Sequence, residues 1–179
     1  MSELRTNRIV PRDGLPSGSS GGIIQVRSTT LTTQVAVTVA SGANTTFYDV
    51  SGLSVNITPT RADSKVLVMV QMCIATSQTT QRMGIRLRRG STTIGASTAS
   101  GNNECSIASL EAHRVYQSIP VSFHFLDSPA TTSQVTYRPQ VAQENSGGAS
   151  TIRINYVATN NDSSYYNGVS TITVMEVSG

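Results

Sequence analysis

Glu111 and His113 flank Ala112, and in an extended chain that spacing sets both side chains on one face, with Glu104 a short way upstream. A carboxylate beside an imidazole is the raw material of a metal site or an acid–base pair. A metal site needs a further ligand at matching spacing, and covalent chemistry needs a nucleophile whose base is held by an orienting group. Neither accompanies these residues, so they read as a surface or interface cluster. His124, between Phe123 and Phe125, reads as a packed interface residue, and Asp127, before Ser128-Pro129, as a turn former whose carboxylate caps local amides. Cleaving a glycan takes two carboxylates across a cleft, and nothing selects a pair among the 10 acids. The sequence has no P-loop, dinucleotide fingerprint or paired-Cys motif. The expectation is a non-enzyme with no catalytic residue, metal or cofactor.

Charge is sparse, at 13% of residues with a net +3, and all but one of the 13 cations are arginine, the exception being Lys65. Arginine suits bidentate pairing and interfacial charge, whereas lysine is the usual solubilising cation. Arg82, Arg86 and Arg88 alternate with Met83, Ile85 and Leu87. They are expected at or near a subunit interface, facing carboxylates or carbonyls. A single-strand nucleic-acid groove would interleave aromatics with such a cluster; that strand has none, and no nucleic-acid partner is expected. Cys73 lies in an apolar run and reads as a small buried hydrophobe. Cys105 lies in a polar stretch, and whether the two are bonded stays open. No window is long and apolar enough to cross a bilayer, and no signal-peptide core opens the chain. The expectation is therefore synthesis in a cytoplasm without membrane insertion.

The elements around these residues are short and β-like. Residues 1–22 form an arm in which Ile9, Val10, Arg12 and Leu15 precede a Gly/Ser hinge, and residues 23–179 form one body. The body shows period-two alternation between turn signals: strands at 23–27, 34–39, 46–50, 53–58, 65–76, 82–89, 92–95, 119–127, 132–143, 150–157 and 169–177. The stretch 107–116 fits a short helical turn or an irregular strand, and Pro139 suggests an edge or a bulge. Ser and Thr exceed a quarter of the chain, as suits strands whose hydroxyls face solvent or a neighbouring copy. The pattern predicts an all-β fold: an antiparallel, jelly-roll-like β-sandwich with an extended N-terminal arm.

The stretches Val50-Ser51-Gly52-Leu53-Ser54-Val55-Asn56-Ile57-Thr58-Pro59, Ser64-Lys65-Val66-Leu67-Val68 and Phe125-Leu126-Asp127-Ser128-Pro129-Ala130-Thr131-Thr132 are phrases of a particular kind. With the run 168–177 and the opening 4–16, they resemble short virion fibre or appendage proteins of marine, cyanophage-like bacteriophages. The body also resembles, at the level of fold, the trimeric jelly roll of the complement and tumour-necrosis-factor type. The resemblance implies a homotrimeric tail fibre or appendage whose arm docks on other phage virion proteins through Ile9, Val10, Arg12 and Leu15. The loops 96–104 and 160–168 are then expected to meet a host-surface glycan or protein. Asn160, Asn161, Asp162, Tyr165 and Tyr166 have the right chemistry, because tyrosine rings stack on sugars while their hydroxyls hydrogen-bond; equally, both tyrosines could simply cover the end of the sandwich. The alternative function is a capsid decoration or collar protein that braces the particle, and a third is a surface polysaccharide depolymerase.

Overall fold

The computed structural model describes residues 22–42, 46–98, 106–115, 117–144, 148–157 and 166–178, which hold strands and no helix. The strands are β1 (Ile23–Leu31), β2 (Val35–Val39), β3 (Tyr48–Asp49), β4 (Val55–Ile57), β5 (Lys65–Thr76), β6 (Gln81–Arg89), β7 (Thr92–Ile94), β8 (Ala108–Ala112), β9 (Ile119–Asp127), β10 (Val135–Gln143), β11 (Ser150–Ile154) and β12 (Ser170–Val177). Alternation decides which side each residue takes. In β12, Ser170, Ile172, Val174 and Glu176 point inward, while Thr171, Thr173, Met175 and Val177 point outward.

Two antiparallel sheets result, and their strands fall into rows. β12 and β11 lie end to end along one edge of β5, opposite Lys65 to Gln71 and Ile74 to Thr76 respectively. β1 and β2 cover that row in the same order, and β9 pairs with the other edge of β5. In the second sheet β3 and β4 share one edge of β10, β6 takes the other, and β7 and β8 share the far edge of β6. Numbered along the chain, the eight rows run 1-8-3-6 in one sheet and 2-7-4-5 in the other. That order is the double Greek key of a jelly roll.

Between the sheets lies a core in which Leu53, Ile57, Met72, Ile74, Ile85, Leu87, Ile152, Ile154 and Ile172 are fully buried. Each such side chain contributes about 1.5–3 kcal/mol of transfer free energy. Two polar ties cross this core. Asp127, closing β9, accepts from Arg89 Nη1 at 2.8 and 2.9 Å and from the Tyr137 hydroxyl at 2.7 Å. Elsewhere, Thr76 Oγ1 donates to Gln143 Oε1 at 2.9 Å, and Gln143 Nε2 donates to Ser150 Oγ at 2.9 Å. A buried polar group is costly unless paired, so these ties favour one register of sheet on sheet.

Two sequence expectations change, and one open alternative is settled in favour of a strand. Residues 107–116 contain the strand β8, held by its pairing with β6 rather than by local preference. Asp127 is a strand residue tied to Arg89 and Tyr137, not a turn cap. Pro139 sits in a central row, where the structure shows how a missing N–H is tolerated. The neighbouring row breaks opposite it, between β3 and β4, where the Val50 N–H donates to the Pro139 carbonyl at 3.4 Å.

Candidate functional site

The two loops singled out for recognition are insertions within strand rows, not links between sheets. One interrupts the row β7/β8 and the other the row β11/β12. Each is closed at its base by a backbone hydrogen bond: Ser97 N–H to Ser106 O at 3.1 Å, and Gly168 N–H to Asn155 O at 3.2 Å. The second base is the more elaborate. Asn155 adopts φ 68°, a left-handed conformation that Asn tolerates better than most residues. Its Nδ2 donates to the carbonyls of Leu31 at 2.8 Å and Thr33 at 3.0 Å, bridging the break between β1 and β2. Its Oδ1 accepts from Ser170 Oγ at 2.6 Å, and its N–H donates to Cys73 O at 2.9 Å. One asparagine thus pins three interrupted or adjacent rows where the loop leaves the sheet. Gly168 is required there, since a Cβ would run into Cys73 Sγ.

Tyr166 emerges from this base 90% exposed. Asn160, Asn161, Asp162 and Tyr165, and most of the loop 96–104, lie outside the described residues, as do the arm residues Ile9, Val10, Arg12 and Leu15. Cys105 and Glu104 lie outside them too. Cys73 is a half-buried free thiol facing outward from β5, less enclosed than its apolar run suggested. Glu111 and His113 are both exposed, and among the described residues no three His, Cys, Asp or Glu gather as metal ligands.

The two outer faces differ in chemistry. On the second sheet Arg82, Arg86 and Arg88 project outward from β6 beside Arg138 and Gln140 of β10. All are engaged within the chain. Arg82 pairs with Glu144 at 3.0 Å, and Arg138 Nε lies 3.3 Å from Asp49. Arg88 donates to Gln140 Oε1 at 3.4 Å and to the Ser91 carbonyl, and Gln140 Nε2 donates to Asp49 at 2.7 Å. Arg86 lies over the Phe47 ring at 3.8 Å, a cation–π contact. Phe47 can lie flat because Gly84 has no side chain; a Cβ there would stand 3.2 Å from the ring. The aromatic partner missing from β6 is thus supplied by the segment before β3.

The first sheet presents the opposite character. Register places Val26, Met175, Leu67 and Leu126 side by side, one from each row, as a transverse apolar stripe. Ser28, Thr173, Met69 and His124 form the next line, and Thr30, Thr171, Gln71 and Ser122 the one after. His124 therefore stands on an open face, next to a shallow depression lined by Met69, Phe123 and Thr173. The stripe escapes sequence inspection because each strand contributes a single member.

Below the surface, Glu176 is a fully buried carboxylate. Its Oε1 accepts from the Thr60 amide at 2.7 Å and hydroxyl at 2.8 Å, and its Oε2 from Gln25 Nε2 at 2.6 Å. Burial pushes its pKa up, but the hydrogen bonds from Gln25 and Thr60 outweigh it, so the carboxyl titrates below the ordinary glutamate range. Burial and the hydrogen bond to Asp127 push the Tyr137 phenol far upward.

No family model matches the chain, and no curated protein matches it. Among solved structures, one of infectious bursal disease virus, Gt strain, matches over 98% of this chain and 43% of its own, with 12% identity and a TM-score of 0.50. Derived T=1 particles of the same virus match over 98% and 41%, with 13% identity and a TM-score of 0.47. The T13 viral particle gives 98% and 40%, 12% and 0.47. The chain spans less than half the length of those chains. At such identity the likeness establishes the fold: a jelly-roll β-sandwich of the kind present in a virus particle.

Proposed function

We propose that the chain is a bacteriophage virion structural protein that assembles and presents a surface without catalysing a reaction. The observation supporting this most directly is the eight-row jelly roll, shared over 98% of the chain with a structure of a virus. In this reading the protein is a homotrimeric tail fibre or appendage. Its arm docks on another virion protein through Ile9, Val10, Arg12 and Leu15, and Arg82, Arg86 and Arg88 stand near the trimer interface. The loops 96–104 and 160–168 face the host. Base-closed loops on a rigid sandwich suit that role, since binding residues commonly ride on loops that a scaffold positions, and three weak contacts gain by avidity. The same jelly roll, alike in fold to a structure of a virus, equally suits a second reading, a capsid decoration or collar protein.

Labelling the protein on intact particles tests the reading. Tail labelling supports attachment and lattice labelling supports decoration; absence from purified virions refutes both. Release of products from host polysaccharide would instead establish the depolymerase.

A further inference from the structure

From the stripe Val26, Met175, Leu67 and Leu126 we infer that the outer face of the first sheet is a contact between two copies of this chain, laid stripe against stripe. Val26 and Leu126, in the two outermost rows, are 48% and 49% exposed, and Ile23, at 59%, extends the patch beside Val177. Around them the face carries hydroxyls with Met69, Gln71 and the His124 imidazole. Among its described outward residues the cations are Lys65 at one end and Arg153 at the other, and none is a carboxylate. Arg153 is occupied, donating to the Val157 carbonyl at 2.7 Å. Charge depletion about an apolar centre is the compositional mark of an interface core. The opposite face differs, since its arginines already meet carboxylates, a carbonyl and a ring within the chain.

Charge and size select the occupant. The chain's own arm carries Arg5, Arg8 and Arg12, and a face without carboxylates gives those cations no partner. A second copy brings a surface that is likewise uncharged between Lys65 and Arg153, so the lines between them meet without burying an unpaired ion. Four rows spaced about 4.8 Å apart, with eight or nine residues rising ~3.3 Å each, cover roughly 500 Å². A stable isolated pair buries about 800 Å² per partner. The contact is therefore weak alone and forms where copies are already concentrated, as in a particle. It goes beyond the proposed function and holds for fibre and decoration alike, because it needs only copies at high local density.

Sedimentation equilibrium of the full-length chain over a wide concentration range tests it. The comparison set is Leu126→Glu, Val26→Glu, and Ser133→Glu as a control in the exposed connection between β9 and β10. The wild type and Ser133→Glu should share a concentration-dependent association that each stripe variant weakens at least tenfold, with unchanged melting temperature. Should Glu disturb folding, Leu126→Ser must shift association in the same direction. Equal association of all variants overturns the proposal. Full-length Ile9→Ser/Val10→Ser/Leu15→Ser should associate as the wild type does. If it instead binds more apolar dye and Leu126→Glu abolishes that gain, the arm covers the stripe and the proposal falls. Loss of the trimer with the stripe association intact would refute the trimer alone.

Discussion

Replacing Glu176 by Gln changes one atom and removes one charge, and the surrounding donors decide the outcome. Oε1 can remain the acceptor for both Thr60 groups, but the new amide nitrogen then faces Gln25 Nε2, which is already committed to the Thr58 carbonyl at 2.7 Å. Two donors confront each other. If Gln25 flips, its oxygen meets the Thr58 carbonyl and that bond is lost. Either way one charge-assisted bond goes and a buried group is left unsatisfied, at a cost of about 2 kcal/mol. For a domain of this size that corresponds to roughly 4–8 °C in Tm. The pH dependence has a definite sign. The folded pKa lies below the unfolded value, so the stabilisation is fully present above about 4.3 and is lost as pH falls through the folded value. Thermal melts of wild type and Glu176→Gln from pH 7 to pH 2.5 should therefore differ at neutral pH and converge in acid. A gap of constant size across that range, or no gap at pH 7, would show that the carboxylate does not stabilise the fold as argued.

Gly95→Ala should cost about 1–3 kcal/mol, because φ 64° strains any L side chain and the new Cβ would stand 2.8 Å from Phe125 and 3.0 Å from Ile107; chemical denaturation checks it. Arg89→Met should be worse than Tyr137→Phe, at about 3 against 1 kcal/mol, since it leaves Asp127 buried beside no cation; equal losses would mean the ion pair contributes little. In alkaline spectrophotometric titration Tyr137 should ionise only as the protein unfolds, and Tyr137→Phe should lose that late step. Tyr165→Ala/Tyr166→Ala should leave the melting temperature unchanged, given the 90% exposure of Tyr166, while reducing adsorption of particles to host cells; lowered stability with unaltered adsorption would make the tyrosines packing residues.

Strands that carry their own signal are legible in the sequence. β5 and β9 run to the limits that their residue pattern predicts, because an apolar run in a central row and a clean alternation at an edge depend little on what lies across the sheet. The stretch 107–116 is not legible, since its pairing partner β6 settles it. The joining of β11 with β12, and of β7 with β8, cannot be read either; it exists only as shared edges of β5 and β6. Surface chemistry divides the same way. Alternation shows that Arg82, Arg86 and Arg88 share a face, whereas Phe47, Asp49 and Glu144 reach that face from distant segments.

A loop that interrupts a strand row has a freedom that a loop joining two strands lacks. On both sides of 156–167 the chain returns to the same edge of β5, and Asn155, Ser170 and Gly168 fix the two ends together. Residues added or removed between those ends leave the register of β11 and β12 unaltered. Doubling the length of such a closed loop costs only about 0.6 kcal/mol in closure entropy. Sequence drift in the loop is thereby uncoupled from folding of the sandwich, so lineages can vary what they display while the scaffold stays constant, and foreign peptides can be spliced in at the same point.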